Sequence, residues 1–303
     1  MKVFVTGACG QLGFDTVTEL WSRGHETFAT DILPEAAGLP EGVEYTALDI
    51  TDAEEVRSVM ERVHPDAVIH CAAWTAVDAA EEPENREKVF AINVGGTRNI
   101  AIAARDMGCK MLYISTDYVF DGQGTEPWDA DCTSFAPLNV YGESKLMGEE
   151  AVRELVEKHF IVRIAWVFGK NGNNFVKTML RVCASRDKVR VVNDQIGTPT
   201  YTPDLAQLLV KMVLTEKYGT YHATNEGNFI SWYDFAREIC RLAGYKTEVL
   251  PVTSEEYGLS KAKRPFNSRL SKEKLTACGF EILPTWQNAL VRFLNEAGVQ
   301  CHE

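Results

Sequence analysis

Three glycines set the first constraint on this chain. Gly7-Ala-Cys-Gly10-Gln-Leu-Gly13 lies between a short apolar run, Val3–Thr6, and an amphipathic stretch, Gln11–Trp21. The run reads as a buried strand and the stretch as a helix, so the glycines occupy a strand-to-helix turn. Glycine permits a tight turn there and lets backbone come close to a ligand. A helix beginning near Gly10 presents free N–H groups to an anion. The spacing is G-x-x-G-x-x-G rather than G-x-G-x-x-G, and a turn without function can also hold glycines. Its place between the first strand and the first helix favours a pyrophosphate cradle contacted by Gly7, Gly10, Gln11, Leu12 and Gly13.

The same alternation continues. Glu26–Thr30, Tyr45–Leu48, Ala67–His70, Lys110–Ser115 and Phe160–Ile164 read as strands, and Ala53–Val63, Glu84–Met107 and Tyr141–Lys158 as helices. This order predicts an α/β chain with a Rossmann-type, doubly wound parallel sheet and right-handed crossovers. Beyond Trp166 the rhythm loosens: Val189–Val192 reads as a strand, and Leu205–Leu214, Trp232–Ala243 and Trp286–Asn295 as helices. The predicted organisation is an NAD(P)-binding domain over 1–165 and a smaller, mainly substrate-binding lobe over 166–303, some of whose segments return to the first domain.

In open sheets of this kind, ligands bind beyond the carboxyl ends of the strands, which points to particular residues. Asp31 closes the second strand, where a carboxylate accepts from adenosine ribose hydroxyls and repels a 2′-phosphate; an ordinary turn aspartate before Pro34 is the other reading. Asp49 and Ile50 follow the third strand, beside the expected adenine edge. Ala72, Ala73 and Thr75 follow the fourth, where small residues let a cofactor pass. Asn93, inside the long helix, is either a buried bracket or a solvated side chain. Tyr141 and Lys145 stand four residues apart on a helix, on one face and ~6 Å apart along its axis. A nearby ammonium favours a phenolate and would lower a tyrosine pKa that is ordinarily ~10. Ser115-Thr116-Asp117 ends the fifth strand, and a hydroxyl there can polarise a carbonyl.

Composition excludes other classes. The formal net charge of −12 argues against a duplex nucleic-acid binder, which must neutralise many phosphates. Eight cysteines include no C-x-x-C pair, and six histidines show no ligand spacing, so reduced thiols and no metal are expected. No signal-peptide pattern or membrane-length apolar run is visible, which makes a cytoplasmic location without membrane association the expectation.

The glycine loop, Thr116 and the Tyr141/Lys145 pair, in that order, resemble the extended short-chain dehydrogenase/reductases. The likeness is closer to one branch. Ala72-Ala-Trp-Thr-Ala-Val-Asp-Ala-Ala-Glu81, Ser115-Thr-Asp-Tyr-Val-Phe-Asp-Gly122, Pro137-Leu-Asn-Val-Tyr-Gly-Glu-Ser-Lys145, Asn193-Asp-Gln-Ile-Gly-Thr-Pro-Thr200 and Arg264-Pro-Phe-Asn-Ser-Arg-Leu270 resemble the dTDP-4-dehydrorhamnose reductase family over nearly the whole chain. The resemblance implies Thr116, Tyr141 and Lys145 as catalytic residues. It implies Val77, Asp117, Trp166, Asn174, Gln195 and Arg264 in or near a nucleotide-sugar pocket, and NADPH or NADH as cofactor. It implies reduction of the C4 ketone of a dTDP-linked 6-deoxy sugar. Some relatives dimerise through a metal held by glutamates; this chain has Asp15 and Asp204 near those positions, so a monomer or weak homodimer without a shared metal is expected. The rival readings are a reductase or epimerase of another nucleotide sugar, and a non-catalytic regulatory subunit resembling that of methionine adenosyltransferase.

Overall fold

A computed structural model describes residues 1–302. The first part of the chain forms β1 (Lys2–Thr6), α1 (Gln11–Ser22), β2 (Glu26–Asp31), β3 (Glu44–Ala47), α2 (Ala53–Val63), β4 (Ala67–His70), α3 (Val77–Ala80), α4 (Pro83–Phe90), α5 (Thr97–Met107), β5 (Lys110–Thr116), α6 (Val140–Leu155) and β6 (His159–Ile164). The rest forms β7 (Val167–Phe168), α7 (Phe175–Cys183), β8 (Lys188–Val192), β9 (Ile196–Gly197), β10 (Thr200–Tyr201), α8 (Thr202–Val213), β11 (Gly219–His222), β12 (Ile230–Ser231), α9 (Trp232–Leu242), β13 (Glu248–Val252), α10 (Ser254–Tyr257), α11 (Glu273–Ala277) and α12 (Trp286–Glu296).

Seven of the strands make one sheet in the order β3-β2-β1-β4-β5-β6-β11. Every neighbouring pair in it is parallel. Strand order reverses between β1 and β4, and the crevice at such a switch point is where this architecture binds ligands. Alternate residues of each strand face opposite layers. Val3, Val5, Ile69, Leu112 and Val162 pack with Val17 and Leu20 of α1 and Leu205 and Leu209 of α8. Phe4, Val68, Met111 and Ile161 pack on the other side with Val56, Met60, Ile100 and Ala104. Both faces are apolar, as a parallel sheet covered by helices requires.

Beyond β6 the chain divides its work. β11 joins the large sheet beside β6, and α8 packs against α1. The remaining elements form a separate core in which Phe168, Phe235, Trp286 and Phe293 meet. No helix among the described residues is long and apolar enough to cross a membrane.

The single helix expected over Glu84–Met107 is interrupted. Ala91–Gly96 forms a π-helical turn between α4 and α5. Two adjacent glycines weaken the ordinary helix there, and a Cβ at Gly96 would stand 2.5 Å from the Ile50 side chain. Insertions of this kind recur at functional sites. Here the wider turn points Asn93 inward.

Candidate active site

The carboxyl ends of β1, β2, β4, β5 and β6 open into one cleft of about 800 Å³. At one end lies the glycine loop. Gly7 has φ +66°, and a Cβ on it would stand 2.7 Å from the Ala72 backbone nitrogen. A Cβ on Gly13 would stand 2.0 Å from the Gly7 carbonyl oxygen. Only glycine lets α1, the loop and the end of β4 meet at backbone contact. Gly10 caps α1 without a side-chain hydrogen bond, leaving first-turn N–H groups for an anion. This cradle fits a dinucleotide pyrophosphate. Asp31 lines the cleft at the end of β2, its carboxylate accepting from Cys9 N–H at 3.0 Å. Leu12, Gln11, Asp49, Ile50, Ala72, Ala73 and Thr75 line the same cleft.

At the other end stand Thr116, Tyr141 and Lys145, which also line the cleft. Thr116 is the last residue of β5, and α6 carries the other two. Asn139 caps α6 by accepting from Gly142 N–H at 2.8 Å, and its amide donates to the Lys263 carbonyl at 2.8 Å. A Cβ on Gly142 would stand 2.3 Å from the Tyr118 carbonyl oxygen, so a glycine there lets the helix reach the turn after β5. That approach brings Tyr141 to Thr116. The Tyr141 ring meets the Tyr118 ring edge-on at 5.7 Å.

The electrostatics differ from the expectation that Lys145 lowers the tyrosine pKa. Burial raises Tyr141 well above its ordinary value and the Asp117 charge adds to this, while the Thr116 contact opposes it. The Lys145 ammonium lies 4.0 Å from the centre of the Tyr113 ring. Burial pushes Lys145 down to about 7, against the raising effect of Glu149 and Cys71. In this structure Tyr141 is therefore a protonated phenol, the form of a proton donor.

The substrate-side residues divide. Val77, Asp117 and Trp166 line the cleft. Trp166 has φ +51°, a sparsely populated conformation for a bulky residue. It is held by stacking on Trp232 at 3.7 Å between ring centres. Gly197 makes room for it, since a Cβ there would stand 2.9 Å from the Trp166 ring.

A family model described as RmlD substrate binding domain matches residues 1–299. The chain belongs to this family. It is 38% identical to the spore coat polysaccharide biosynthesis protein SpsK of Bacillus subtilis, over 99% of both chains. It is 39% identical to dTDP-4-dehydrorhamnose reductase of Escherichia coli K12, over 98% of each. The crystal structure of dTDP-4-dehydrorhamnose reductase from Bacillus anthracis in complex with NADP matches with a TM-score of 0.89 at 43% identity, covering 97% of this chain and 99% of that one.

Four residues expected at the site do not line the cleft. Asn93 is fully buried: its amide donates to Ser144 Oγ at 2.9 Å and to the Trp74 carbonyl at 3.2 Å, and its oxygen accepts from Trp74 N–H at 2.8 Å. It braces α6 against the segment after β4. Asn174 caps α7 and donates to Gln11 Oε1 at 2.7 Å, tying the lobe to the glycine loop. Gln195 is buried and donates to Ser254 Oγ at 2.9 Å. Arg264 grips Asp78 bidentately, at 3.1 and 2.6 Å. The cleft also holds residues that the sequence reading did not assign to it: Lys88, Tyr118, Asn173 and Trp232. None belongs to a spacing with a chemical meaning. Near the expected metal positions, Asp15 accepts from Thr202, and Asp204 is bound by Arg292 at 2.6 Å and Asn225 at 2.8 Å.

Proposed function

We propose that this protein is an NAD(P)H-dependent reductase of the C4 ketone of a nucleotide-linked 6-deoxy sugar, converting dTDP-4-dehydro-L-rhamnose to dTDP-L-rhamnose. The observation that carries the reading is that one cleft holds the glycine cradle, the Thr116/Tyr141/Lys145 group and the Trp166–Trp232 stack. The reduced nicotinamide, when bound, supplies a hydride to the sugar C4. Thr116 and Tyr141 hydrogen-bond the C4 oxygen, favouring the charge that develops on it. Tyr141 then gives its proton to the nascent alkoxide. Lys145, lining the same cleft, would hydrogen-bond the nicotinamide ribose through its ammonium. Trp166 and Val77 form an apolar wall for the sugar. The test is the fall of NAD(P)H absorbance with dTDP-, GDP- and UDP-linked 4-keto sugars. Consumption with the dTDP substrate supports the reading; another nucleotide preferred redirects it to a sister activity, and no turnover favours a regulatory role.

Lys145 sets a pH dependence. A lysine is charged below its pKa and neutral above it, so a group pushed down to about 7 loses its charge as pH rises through that value. kcat/KM for the sugar, with NADH as coenzyme, is expected to fall on the alkaline side, by about tenfold or more per pH unit once well past the inflection. A profile flat between about pH 6 and about pH 9 would show that the ammonium is not needed.

Asp31 sets coenzyme choice. The segment after it, Ile32-Leu33-Pro34-Glu35, brings no cation, and Lys88 and Lys145 are the only lysines or arginines lining the cleft among the described residues. NADH is expected to serve at least as well as NADPH, and Asp31→Ala to shift the ratio of kcat/KM values toward NADPH. A strong wild-type preference for NADPH, unchanged in Asp31→Ala, would remove Asp31 from this role.

A further inference from the structure

The mechanism above gives no task to the Asp117 carboxyl, although it is 2% exposed and adjoins Thr116. Its Oδ1 lies 3.0 Å from Thr116 Oγ1. Its Oδ2 is buried and makes no hydrogen bond of good geometry among the described residues, although the Ser268 hydroxyl faces the carboxyl. The groups that face it are Thr116 and Tyr118 from its own segment, Tyr141 on α6 and Ser268 on the loop after Arg264. None is a cation: Arg264, on that same loop, is committed to Asp78, and Lys145 lies over the Tyr113 ring. An ionised carboxylate is costly where its oxygens are not met by donors. Burial accordingly pushes the Asp117 carboxyl up to about 6, against the lowering contacts of Ser268 and Thr116.

The hydrogen bonds at Thr116 make this protonation state matter. A hydroxyl has one hydrogen to give and two lone pairs to receive with. Tyr118 N–H already donates to Thr116 Oγ1 at 3.2 Å. If Asp117 is ionised, its charge draws the single Thr116 hydrogen into the 3.0 Å contact with Oδ1, away from Tyr141 and from any substrate. If Asp117 is protonated, it donates to the second lone pair of Thr116, and the threonine hydrogen is free to face the cleft.

We propose that Asp117 is a positioning residue that acts in its acid form, turning the Thr116 hydroxyl so that it donates to the substrate's C4 oxygen. This rests on the reading of the protein as a carbonyl reductase. Asp117 keeps its own proton through turnover, because the proton delivered to the alkoxide comes from Tyr141. Ionisation of Asp117 harms the reaction twice: Thr116 no longer donates to the oxyanion, and a negative charge beside Tyr141 opposes the tyrosinate. The first loss alone is about 10²–10³-fold, the typical cost of one oxyanion donor.

The experiment is the pH profile of kcat/KM for the sugar with NADH, in wild type, Asp117→Asn and Asp117→Ala. Wild type must then hold two protons, on Lys145 and Asp117, and log kcat/KM is expected to approach a slope of about −2 on the alkaline side. Asparagine donates through its amide at every pH, so Asp117→Asn is expected to show a limiting slope of about −1 and to exceed wild type at about pH 8.5. Asp117→Ala removes the acceptor together with the donor, leaves the Thr116 hydroxyl free to rotate toward the C4 oxygen, and is expected to show the same limiting slope of about −1 with only a modest loss at low pH. Infrared difference spectra of the free protein across the titration supply a second readout: a protonated-carboxyl C=O band, lost as pH rises, that disappears in folded Asp117→Asn while the contribution of Asp15, which burial also pushes up to about 6, remains. Equal slopes in wild type and Asp117→Asn, or no such band, would overturn the proposal. Wild type that turns over no nucleotide sugar at any pH, with the band present, would instead sink the reductase reading.

Discussion

Tyr141→Phe is expected to fold and bind coenzyme normally while turning over about 10²-fold or more slowly than wild type, a barrier increase of roughly 2.7 kcal/mol. The substitution removes one oxygen and keeps the ring, so the edge-on contact with Tyr118 at 5.7 Å survives. What is lost is the proton. Burial keeps the phenol protonated at neutral pH, so wild type always carries a proton to give. In the variant the alkoxide must draw on water, and one of two donors to the C4 oxygen is gone. The defect belongs to the chemical step, so kcat should carry it, while the Kd for NADH should hardly move. Near-normal turnover would take Tyr141 out of the mechanism; a large loss of NADH affinity would make its role one of coenzyme binding.

Where the fold was legible, one local pattern sufficed. The glycine loop and the alternating apolar runs put the early strands within a residue of their observed ends, because the central strands β1, β4, β5 and β6, covered on both faces, are largely apolar. The failure at Glu84–Met107 has a local cause. Ala91-Ile-Asn-Val-Gly-Gly96 keeps enough apolar periodicity to read as helix, while the π turn answers contacts distant in sequence, with Ile50, Trp74 and Ser144. β11 escaped notice because Gly219-Thr-Tyr-His222 is short and polar in composition, and becomes a sheet strand only by pairing with β6.

The site follows the same division. Residues at strand ends or at fixed helical spacing, such as Asp31, Thr116, Tyr141 and Lys145, could be placed by geometry that the sequence encodes. Those on the lobe could not. Trp232 reaches the cleft because Trp166 adopts positive φ and stacks on it. Asn174, Gln195 and Arg264 lie in segments that the family resemblance singles out, yet each is engaged by another part of the protein. The upward direction of the Tyr141 shift was also hidden. A spacing of four residues says that two groups share a face, but Tyr113 and the depth of burial decide where the ammonium rests.

Glu149→Ala is expected to destabilise the protein by about 3–5 kcal/mol, the scale for breaking a buried ion pair from one side. Glu149 is fully buried on α6, and Arg163 on β6 is 1% exposed. The pair is bidentate, with both N–H···O distances 2.8 Å, and Arg153 adds a bond to Oε2 at 2.6 Å. Burial alone would push the Glu149 carboxyl up, but Arg163, Arg153 and the Ser115 hydroxyl outweigh it and hold it below the usual carboxylate range. Removing the carboxylate strands a guanidinium between the rings of Phe120 and Phe135, 5.0 and 4.9 Å from their centres, with no other carboxylate paired to it among the described residues. It also frees Ser115, which sits beside Thr116 at the end of β5 and donates to Glu149 Oε1. The damage should therefore reach activity as well as stability. In thermal unfolding the shift should be roughly 10 °C downward for a chain of this size. The double variant Glu149→Leu, Arg163→Met removes both charges and fills similar volume, and is expected to recover most of the lost stability, because an apolar pair escapes the desolvation cost that the ions bear. A single-variant loss below about 1 kcal/mol would mean that the stranded arginine finds water or another partner. A double variant no better than Glu149→Ala would mean that the loss comes from packing and not from the unpaired charge.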